Sequence, residues 1–434
     1  MRTAPQPGTG EPVIEATRRC LAPLPAGRVV LAVSGGPDSM GLLAAVHAAG
    51  LADRVACVAT FDHRSGPWAT RAARLVAASA SGLGFRVVVG RAPEPMVAAG
   101  EAAWRDERWR FLRQVAADGP TGVATAHTRD DHLETIAFRL WRGGGPRGLA
   151  GLDVDGGPLR PLLSVARADV AAFVRASGVP SLADPANGDR RHARVRWRLD
   201  LLPALESARP GFSRELLALG ARAAAWRRDV ERLVAAEVTV RREPQGAVLT
   251  LGGLADVPAG HLAWCWPAIL AAEGVTPDRR ALTRLARETT VGQAVPLPGG
   301  AELIRVTGET WVLRRPRETA VPVPLAGVVR FGPWRFRPAR ADAGRGEPGT
   351  WHARLPVGVP LEVRPWRPGD RLAGPAGPRR VARWFADAGI PGPLRVGWPV
   401  VAGGTNVWWI PGVRQVALPP GTPFLSYDCD RQPD

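Results

Sequence analysis

The sequence of 434 residues contains no lysine, so all 57 of its basic residues are arginine, against 40 acidic ones. The resulting net charge of +17 is typical of a protein that meets a polyanion, most often nucleic acid. A GC-rich coding sequence would also favour Arg, Ala, Gly and Pro codons. Charge alone therefore leaves the nucleic-acid interpretation open.

Cysteine is scarce as well, and the four that occur lie far apart, at Cys20, Cys57, Cys265 and Cys429. This spacing excludes a Cys-x-x-Cys metal or redox motif and a dense disulfide framework, and it fits a reducing compartment. The chain has no apolar run of about 18 residues, and residues 1–20 lack the apolar core of a signal peptide. We expect a cytoplasmic protein without a membrane span.

What the sequence does contain is an alternation of short apolar runs and helical patterns between residues 28 and 200. It predicts an α/β fold with a parallel sheet covered by helices on both faces. Ser34, Asp62 and His127 each follow a predicted strand, so one pocket at the strand ends could gather all three. The predicted strands are 29–33, 55–61, 86–89 and 121–126, and the predicted helices between them include 69–81 and 101–117.

Beyond residue 200 the pattern changes. Long helices are predicted over 201–238, and strands mixed with short helices over 239–314. Pro- and Gly-rich stretches at 314–324 and 340–349 read as linkers or surface loops. We therefore predict three domains, 1–205, 206–325 and 350–434.

The first motif is SGGPDS, between a predicted strand and a predicted helix. Gly35 and Gly36 can bring backbone N–H groups close to an anion, with a helix N-terminus behind them. Asp38 can cap the helix or hold Mg²⁺ against phosphates. No Lys follows to reach a transferred phosphate, so the loop suits pyrophosphate as the leaving group of ATP. The alternative is a plain strand–turn–helix corner. The predicted nucleotide-binding residues are Ser34, Gly35, Gly36, Pro37, Asp38 and Ser39.

A second motif, AHTRDDHLETIAFRLWRGGGPRGL at 126–149, clusters carboxylates at helical spacing. His127, Asp131 and Glu134 would share one helix face and could hold a metal or a cationic amine. The alternative is an ordinary acidic helix N-terminus. Arg142 and Arg147 lie in a glycine-rich loop suited to phosphate backbone, or simply in a helix cap and turn.

Two further segments carry arginine beside aromatic residues. Arg105 and Arg108 lie on one face of EAAWRDERWRFL (101–112) and could grip a triphosphate or RNA, although a salt-bridged surface helix explains them as well. Arg198 follows Trp197 in a basic stretch that suits RNA, while Trp197 could equally dock into a core.

Together these motifs resemble a family. SGGPDS resembles the PP-loop of N-type ATP pyrophosphatases. AHTRDDHLET, RGGGPRGL, RPLL (160–163) and DPAN (184–187) follow the order seen in tRNA(Ile)-lysidine synthases, and EAAWRDERWRF resembles a helix of that family. VRPWRPGDRL (363–372), ARWFADAGIP (382–391) and WWIPGVR (408–414) resemble its last domain.

The resemblance implies a Rossmann-like PP-loop domain of the adenine nucleotide α hydrolase-like type, a helical or mixed middle domain and a small α+β C-terminal domain. It implies that ATP and Mg²⁺ adenylate the wobble cytidine of tRNA(Ile) with a CAU anticodon, and that free L-lysine then displaces AMP. Asp38 would lie near the metal, and Asp131 and Glu134 would bind the lysine ammonium. The catalytic set implied is Asp38, Arg105, Asp131 and Arg198, and the tRNA or phosphate contacts implied are Arg108, Arg142, Arg147, Arg379, Arg380 and Arg383.

The sequence departs from the family pattern at Val195, where the family has Asn, and in carrying Arg for the usual C-terminal Lys cluster. Three alternatives remain: a tRNA thiolase of the same superfamily, which would need sulfur-handling cysteines; a metallohydrolase built on His127, Asp130, Asp131 and His132; and a non-catalytic RNA-binding protein. The sequence does not decide between a monomer and a homodimer.

Overall fold

The computed structural model describes residues 10–94, 96, 101–117, 122–183, 188–191, 193–243, 245–287, 289–315, 321–339, 351–374, 377–404 and 406–431. The chain divides into two compact units, Met1–Arg228 and Asp229–Asp434. The three domains 1–205, 206–325 and 350–434 remain a prediction. DPAN at 184–187 and Thr121 of the fourth predicted strand lie outside the described residues.

The first unit is built on a parallel four-stranded sheet, as the sequence predicts. Its strand order is β3-β2-β1-β4, so β1 is flanked on both sides, and Val29, Val30 and Leu31 are almost fully buried there. Such burial explains the near-continuous apolar run of this strand. The strands are β1 (Val29–Ala32), β2 (Val55–Asp62), β3 (Val87–Arg91) and β4 (Gly122–Ala124).

Helices cover this sheet, and the predicted helix over 101–117 has the predicted bounds. A short π-helical turn, Trp197–Leu201, interrupts the helical run that ends the unit. The α-helices are α1 (Glu11–Leu21), α2 (Pro37–Ala48), α3 (Pro67–Gly82), α4 (Glu101–Ala117), α5 (Arg129–Trp141), α6 (Pro146–Leu149), α7 (Arg167–Ser177), α8 (Ala193–Arg196), α9 (Leu202–Ala208) and α10 (Phe212–Glu237), the last of which continues past residue 228.

The strand order fixes where a ligand can bind. The chain runs from β1 through β2 to β3 on one side of the sheet and then returns to place β4 on the other side of β1. A crevice opens at the carboxyl ends of strands where the order reverses, here between β1 and β4. Ser34 follows β1 and His127 follows β4, so both lie at this crevice.

Asp62, the third residue expected there, has a different environment. It is 4% exposed, and its carboxylate accepts hydrogen bonds from the Arg64 backbone N–H (2.8 Å) and the Thr70 hydroxyl (2.9 Å). Arg64 has a positive φ of 53°, which the short turn after β2 requires. Asp62 therefore shapes this turn.

The second unit is mixed and rich in antiparallel strands. Its sheets have the orders β5-β6-β9-β8-β7, β11-β12-β20-β13 and β10-β14-β17-β18-β15-β16, the last with β19 paired to β18. The elements are β5 (Thr239–Glu243), β6 (Gly246–Thr250), α11 (Ala259–Leu262), α12 (Trp266–Ala271), α13 (Arg279–Leu285), β7 (Ala294–Pro296), β8 (Glu302–Arg305), β9 (Thr310–Arg314), β10 (Val323–Pro324), β11 (Val329–Phe331), β12 (Trp334–Ala339), β13 (His352–Pro356), β14 (Glu362–Pro365), β15 (Arg371–Gly374), β16 (Gly377–Arg380), α14 (Val381–Asp387), α15 (Gly392–Arg395), β17 (Pro399–Gly403), β18 (Asn406–Ile410), β19 (Arg414–Gln415) and β20 (Phe424–Arg431).

Tryptophan fills the core of this second unit. Trp334, Trp398 and Trp409 are each at most 1% exposed, and Trp334 lies 5.2 Å from Trp398, ring centre to ring centre. Burial of such large rings is a major source of stability for small sheets. Trp398 and Trp409, both within 350–434, are thus structural. Among the described helices of the whole chain, none has both the length and the apolar character needed to cross a bilayer.

Candidate active site

The SGGPDS loop forms a tight turn between β1 and α2. Gly35 has a φ of +88°, in the left-handed region that favours glycine. A Cβ at this position would also lie 3.1 Å from the Cβ of Ala72, which is tighter than an ordinary contact. The Ser39 hydroxyl donates to the Gly36 carbonyl (2.9 Å) and accepts from the Ser34 N–H (3.2 Å). These bonds hold the loop at the N-terminus of α2 in a shape that suits an anion.

A cavity of about 670 Å³ opens at this loop. Its size lies within the range of small-molecule sites. The aromatic side chains of Phe61, Trp68, Trp104 and Trp109 contribute flat apolar surface to its wall. The residues singled out from sequence that line it are Ser34, Gly36, Pro37, Asp38, Ser39, Arg105, Arg108, His127 and Asp131.

One arginine that the sequence reasoning missed joins the acidic residues of this site. The guanidinium of Arg167 contacts Asp131 (Nη2 to Oδ1, 2.5 Å), Glu134 (Nη1 to Oε1, 3.2 Å) and Asp38 (Nε to Oδ2, 3.3 Å). Two signals could have pointed to it. Arg167 follows RPLL by four residues, and three carboxylates gathered in one site require cations to balance them.

Arg198 is the second cation of this cluster. It forms a bidentate pair with Glu134, Nε to Oε1 at 2.6 Å and Nη2 to Oε2 at 3.0 Å, and lies 3.9 Å from Asp131 Oδ1. The side chain of Glu134 is only 3% exposed. Both its oxygens are thus occupied, and Glu134 is the buried anchor on which the two guanidiniums meet.

The two carboxylate oxygens of Asp131 have different partners. Its Oδ2 accepts from the backbone N–H and the hydroxyl of Thr128, both at 2.8 Å, in a capping box at the start of α5. Burial alone would raise its pKa, but Arg167 and the Thr128 bonds outweigh burial and hold the pKa below its ordinary value. Asp131 is therefore an anion at neutral pH, with Oδ1 directed at the guanidiniums.

The Asp38 carboxylate lies in the first turn of α2 and lines the cavity. Burial raises its pKa even though Arg167 lies beside it. Within the residues the structure covers, no group of three or more His, Cys, Asp or Glu side chains is arranged to hold a metal ion by itself. Mg²⁺ commonly binds through one or two carboxylates plus substrate phosphates, so a single carboxylate beside a phosphate loop fits this ion.

The helix that carries Asp131 begins at Arg129, so His127 precedes it instead of sharing its face. The Thr125 hydroxyl lies 2.9 Å from His127 Nδ1. Burial, together with Arg160, Arg105 and Arg108, lowers the pKa of His127 to about 4 despite nearby Asp131. A neutral imidazole at this position can orient a substrate but is not a proton donor of ordinary strength.

The arginines at 142, 147, 379, 380 and 383 are not among the residues that line this cavity. Arg142 packs over the ring of Phe138 (5.5 Å) at the end of α5, and Arg147 belongs to α6. In the second unit, Arg379 pairs with Asp387 and lies over the ring of Trp384 (5.1 Å). Arg380 and Arg383, which follow it in the chain, are exposed.

Two sequence ambiguities are settled by packing. Trp197 is 8% exposed and packs with Ile136 in a small core, so it is a structural residue and not an RNA platform. Val195, where the resembled family has Asn, is also buried at 8% exposure. The fold thus accommodates Val at that position.

The geometry gives the metallohydrolase alternative no site. Asp130 accepts the backbone N–H of Arg167 (2.8 Å), and His132 Nδ1 accepts the backbone N–H of Leu152 (3.0 Å). Both side chains therefore form structural hydrogen bonds with the backbone. The four cysteines are not among the residues lining the cavity, which removes support for a thiolase.

Comparison with known proteins identifies the family. Residues 11–205 match the PP-loop domain family, and residues 361–421 match the TilS substrate C-terminal domain. The chain is 32% identical over 399 residues to a tRNA(Ile)-lysidine synthase of Thermus thermophilus, which covers 90% of this chain and 69% of that protein. For that of Salinispora arenicola the identity is 35%, over 69% of this chain and 94% of the relative.

A third relative extends the match over nearly the full length of both proteins. The tRNA(Ile)-lysidine synthase of Symbiobacterium thermophilum is 31% identical over 442 aligned residues, covering 90% of each chain. On these grounds the chain is an enzyme of the tRNA(Ile)-lysidine synthase family.

Proposed function

We propose that this protein ligates free L-lysine to C2 of the wobble cytidine in the CAU anticodon of tRNA(Ile), forming lysidine and changing codon recognition from AUG to AUA. The proposal rests on one cavity that two features line together. One is a phosphate loop whose sequence contains no Lys residue, and the other is Asp131, a carboxylate able to bind an ammonium group. The reaction belongs in the cytoplasm, where tRNA, ATP and free lysine meet.

In the first step the cytosine O2 attacks the α-phosphorus of ATP, and pyrophosphate leaves. The backbone N–H groups of Gly35, Gly36, Asp38 and Ser39 cradle the departing phosphates. Arg105 and Arg108, which line the same cavity, stabilise the negative charge that develops on the α-phosphate. Asp38 would hold Mg²⁺, which supplies charge neutralisation on the phosphates when bound.

In the second step the ε-amine of lysine attacks C2, the C2–O bond breaks and AMP leaves with that oxygen. The amine passes its proton to water or to the departing phosphate. Asp131, with its oxygen Oδ1 at the cavity, binds an ammonium group of lysine. Glu134 supports it from behind, and Arg198 is a positioning residue that acts through Glu134. No side chain needs to be a strong general base, because the activated C2 is a good electrophile.

The tRNA meets the enzyme mainly through arginine on phosphates. Arg142 and Arg147 lie on the same unit as the cavity, and Arg379, Arg380 and Arg383 lie in the second unit. Trp384 is held between Arg379 and Arg414, each 5.1 Å from its ring centre. Such stacking orients the guanidiniums for phosphate contact.

Changing Arg379, Arg380 and Arg383 together to Gln should weaken binding of tRNA(Ile) by about tenfold or more at 0.1 M salt and lower the salt slope by about 2 to 3, because three phosphate contacts are lost. The control is a triple variant of the same charge at exposed Arg18, Arg19 and Arg175. Filter binding over a salt series measures both. If both variants weakened tRNA binding equally, the effect would come from net charge and not from contacts made by Arg379, Arg380 and Arg383.

The adenylation half-reaction tests the proposal against a non-catalytic RNA-binding protein. With ATP, Mg²⁺ and unmodified tRNA(Ile), and without lysine, we expect release of pyrophosphate in an amount close to that of the enzyme, and a labelled AMP group on the tRNA. Without tRNA, release should stay at background. Absence of tRNA-dependent pyrophosphate would remove the catalytic proposal.

A further inference from the structure

Arg167 contacts carboxylates assigned to both steps of the reaction, Asp38 on the ATP side and Asp131 on the lysine side. Its Nε faces Asp38, in the first turn of the helix that follows the phosphate loop (3.3 Å), while its two Nη atoms face Asp131 and Glu134 (2.5 and 3.2 Å). One guanidinium thus bridges the carboxylate on the phosphate side and the carboxylates on the amine side. Neither step of the proposed reaction requires this bridge.

The bridge occupies the position that the lysine ammonium needs. Asp131 Oδ2 is already used by Thr128, so Oδ1 is the oxygen left for a cation, and Arg167 Nη2 lies on it at 2.5 Å. The other side of the same guanidinium covers Glu134 Oε1. Arg198 Nε also lies on Glu134 Oε1, at 2.6 Å, so the cluster already holds two cations. An ammonium group at Asp131 Oδ1 would be a third cation at contact distance from Arg167 and would be strongly repelled. Lysine can bind there only after the guanidinium leaves.

The backbone of Arg167 is fixed, whereas its side chain can move. Its N–H bonds Asp130 Oδ2 (2.8 Å), and Arg129 N–H bonds the Val165 carbonyl (2.9 Å), which ties the start of α7 to the start of α5. The side chain is 26% exposed, so it reaches solvent. A planar guanidinium binds phosphate oxygens in the same forked geometry as carboxylates.

We propose that Arg167 is a positioning residue that occupies the ammonium site until ATP binds, then turns to the phosphates and so makes lysine binding depend on the nucleotide. The triphosphate brings new acceptors to the loop beside Asp38, and the side chain exchanges the amine-side carboxylates for them. Lysine then finds Asp131 Oδ1 open, while Arg198 remains paired with Glu134. This inference rests on the proposed function, since it concerns the same lysine site.

Equilibrium dialysis of radiolabelled lysine measures this dependence without catalysis. All samples contain the full chain, Mg²⁺ and unmodified tRNA(Ile), with or without α,β-methylene-ATP, whose α–β bond cannot release pyrophosphate. We expect the analogue to lower the Kd for lysine about tenfold or more in the wild type, within the usual range of coupling between sites. By reciprocity, lysine should lower the Kd for the analogue by the same factor.

The variant Arg167→Gln removes the competing cation. We expect it to bind lysine with a Kd that changes less than about twofold on adding the analogue, because its site is open in both states. Arg175→Gln, an exposed position on the same helix, should keep the wild-type dependence.

The outcomes separate the two claims. A wild-type Kd for lysine that the analogue leaves unchanged would overturn the role of Arg167 without any variant. A tenfold dependence that persists in Arg167→Gln would overturn it too. If the wild type binds no lysine in either condition, the lysine substrate of the proposed function falls, and this inference with it.

Discussion

The variant Asp38→Ala should lose adenylation of the tRNA almost completely, with pyrophosphate release reduced on the order of 10²- to 10³-fold. Asp38 is the cavity-lining carboxylate in the first turn of the helix behind the phosphate loop, and it is the residue we assign to Mg²⁺. Without it, the phosphates lose their metal and Arg167 loses one of its three partners. Pyrophosphate release in a single turnover, with lysine absent, measures the loss directly.

The protein should remain folded in this variant. An acidic residue in a first helical turn contributes only about 0.3–1 kcal/mol through the helix dipole. Asp53→Ala, at an exposed aspartate in the same unit, is the matched control and should keep wild-type activity. If Asp38→Ala released pyrophosphate at more than a tenth of the wild-type rate, Asp38 would not be the metal residue.

The variant Asp131→Asn should separate the two steps. We expect the KM for lysine to rise on the order of 10²-fold, since a charge-assisted bond to a partly buried carboxylate is worth about 1.5–3 kcal/mol. Adenylation should stay within a few fold of wild type, because the phosphate loop is untouched. Asn keeps an oxygen for the Thr128 N–H, which preserves the cap of α5 better than Ala would.

Its neighbour provides the control. Asp130 bonds the backbone of Arg167 and is not among the cavity-lining residues, so Asp130→Asn should leave the KM for lysine nearly unchanged. Single-turnover pyrophosphate release and steady-state lysine incorporation, measured on both variants, separate the two steps. Normal lysine dependence in Asp131→Asn would show that the amine binds elsewhere.

Local sequence patterns were enough to predict the elements that build the first unit. The run of β1 is apolar because the strand is flanked on both sides, and SGGPDS follows it directly, so loop and strand could be read together. Helix α4 was predicted with its observed bounds. These features depend on neighbours in the chain, which a single sequence displays.

The carboxylate–arginine cluster could not be predicted from local sequence patterns. Arg167 lies 129 residues from Asp38 and 36 from Asp131, so only the fold brings them together. For the same reason the sequence could not tell that Glu134 is buried or that Trp197 packs in a core. The prediction that His127 shares a helix face with Asp131 was wrong, although the capping-box spacing of Thr128 and Asp131 marks the start of α5 in the sequence.

The most direct test of the account is incorporation of radiolabelled lysine into unmodified tRNA(Ile) with a CAU anticodon, with controls that each lack ATP, Mg²⁺ or the wobble cytidine. The account predicts incorporation that requires all three, close to one lysine per tRNA at completion. Release of pyrophosphate with tRNA present but no lysine on the tRNA would contradict it, because the adenylated base would then have to react with a different nucleophile.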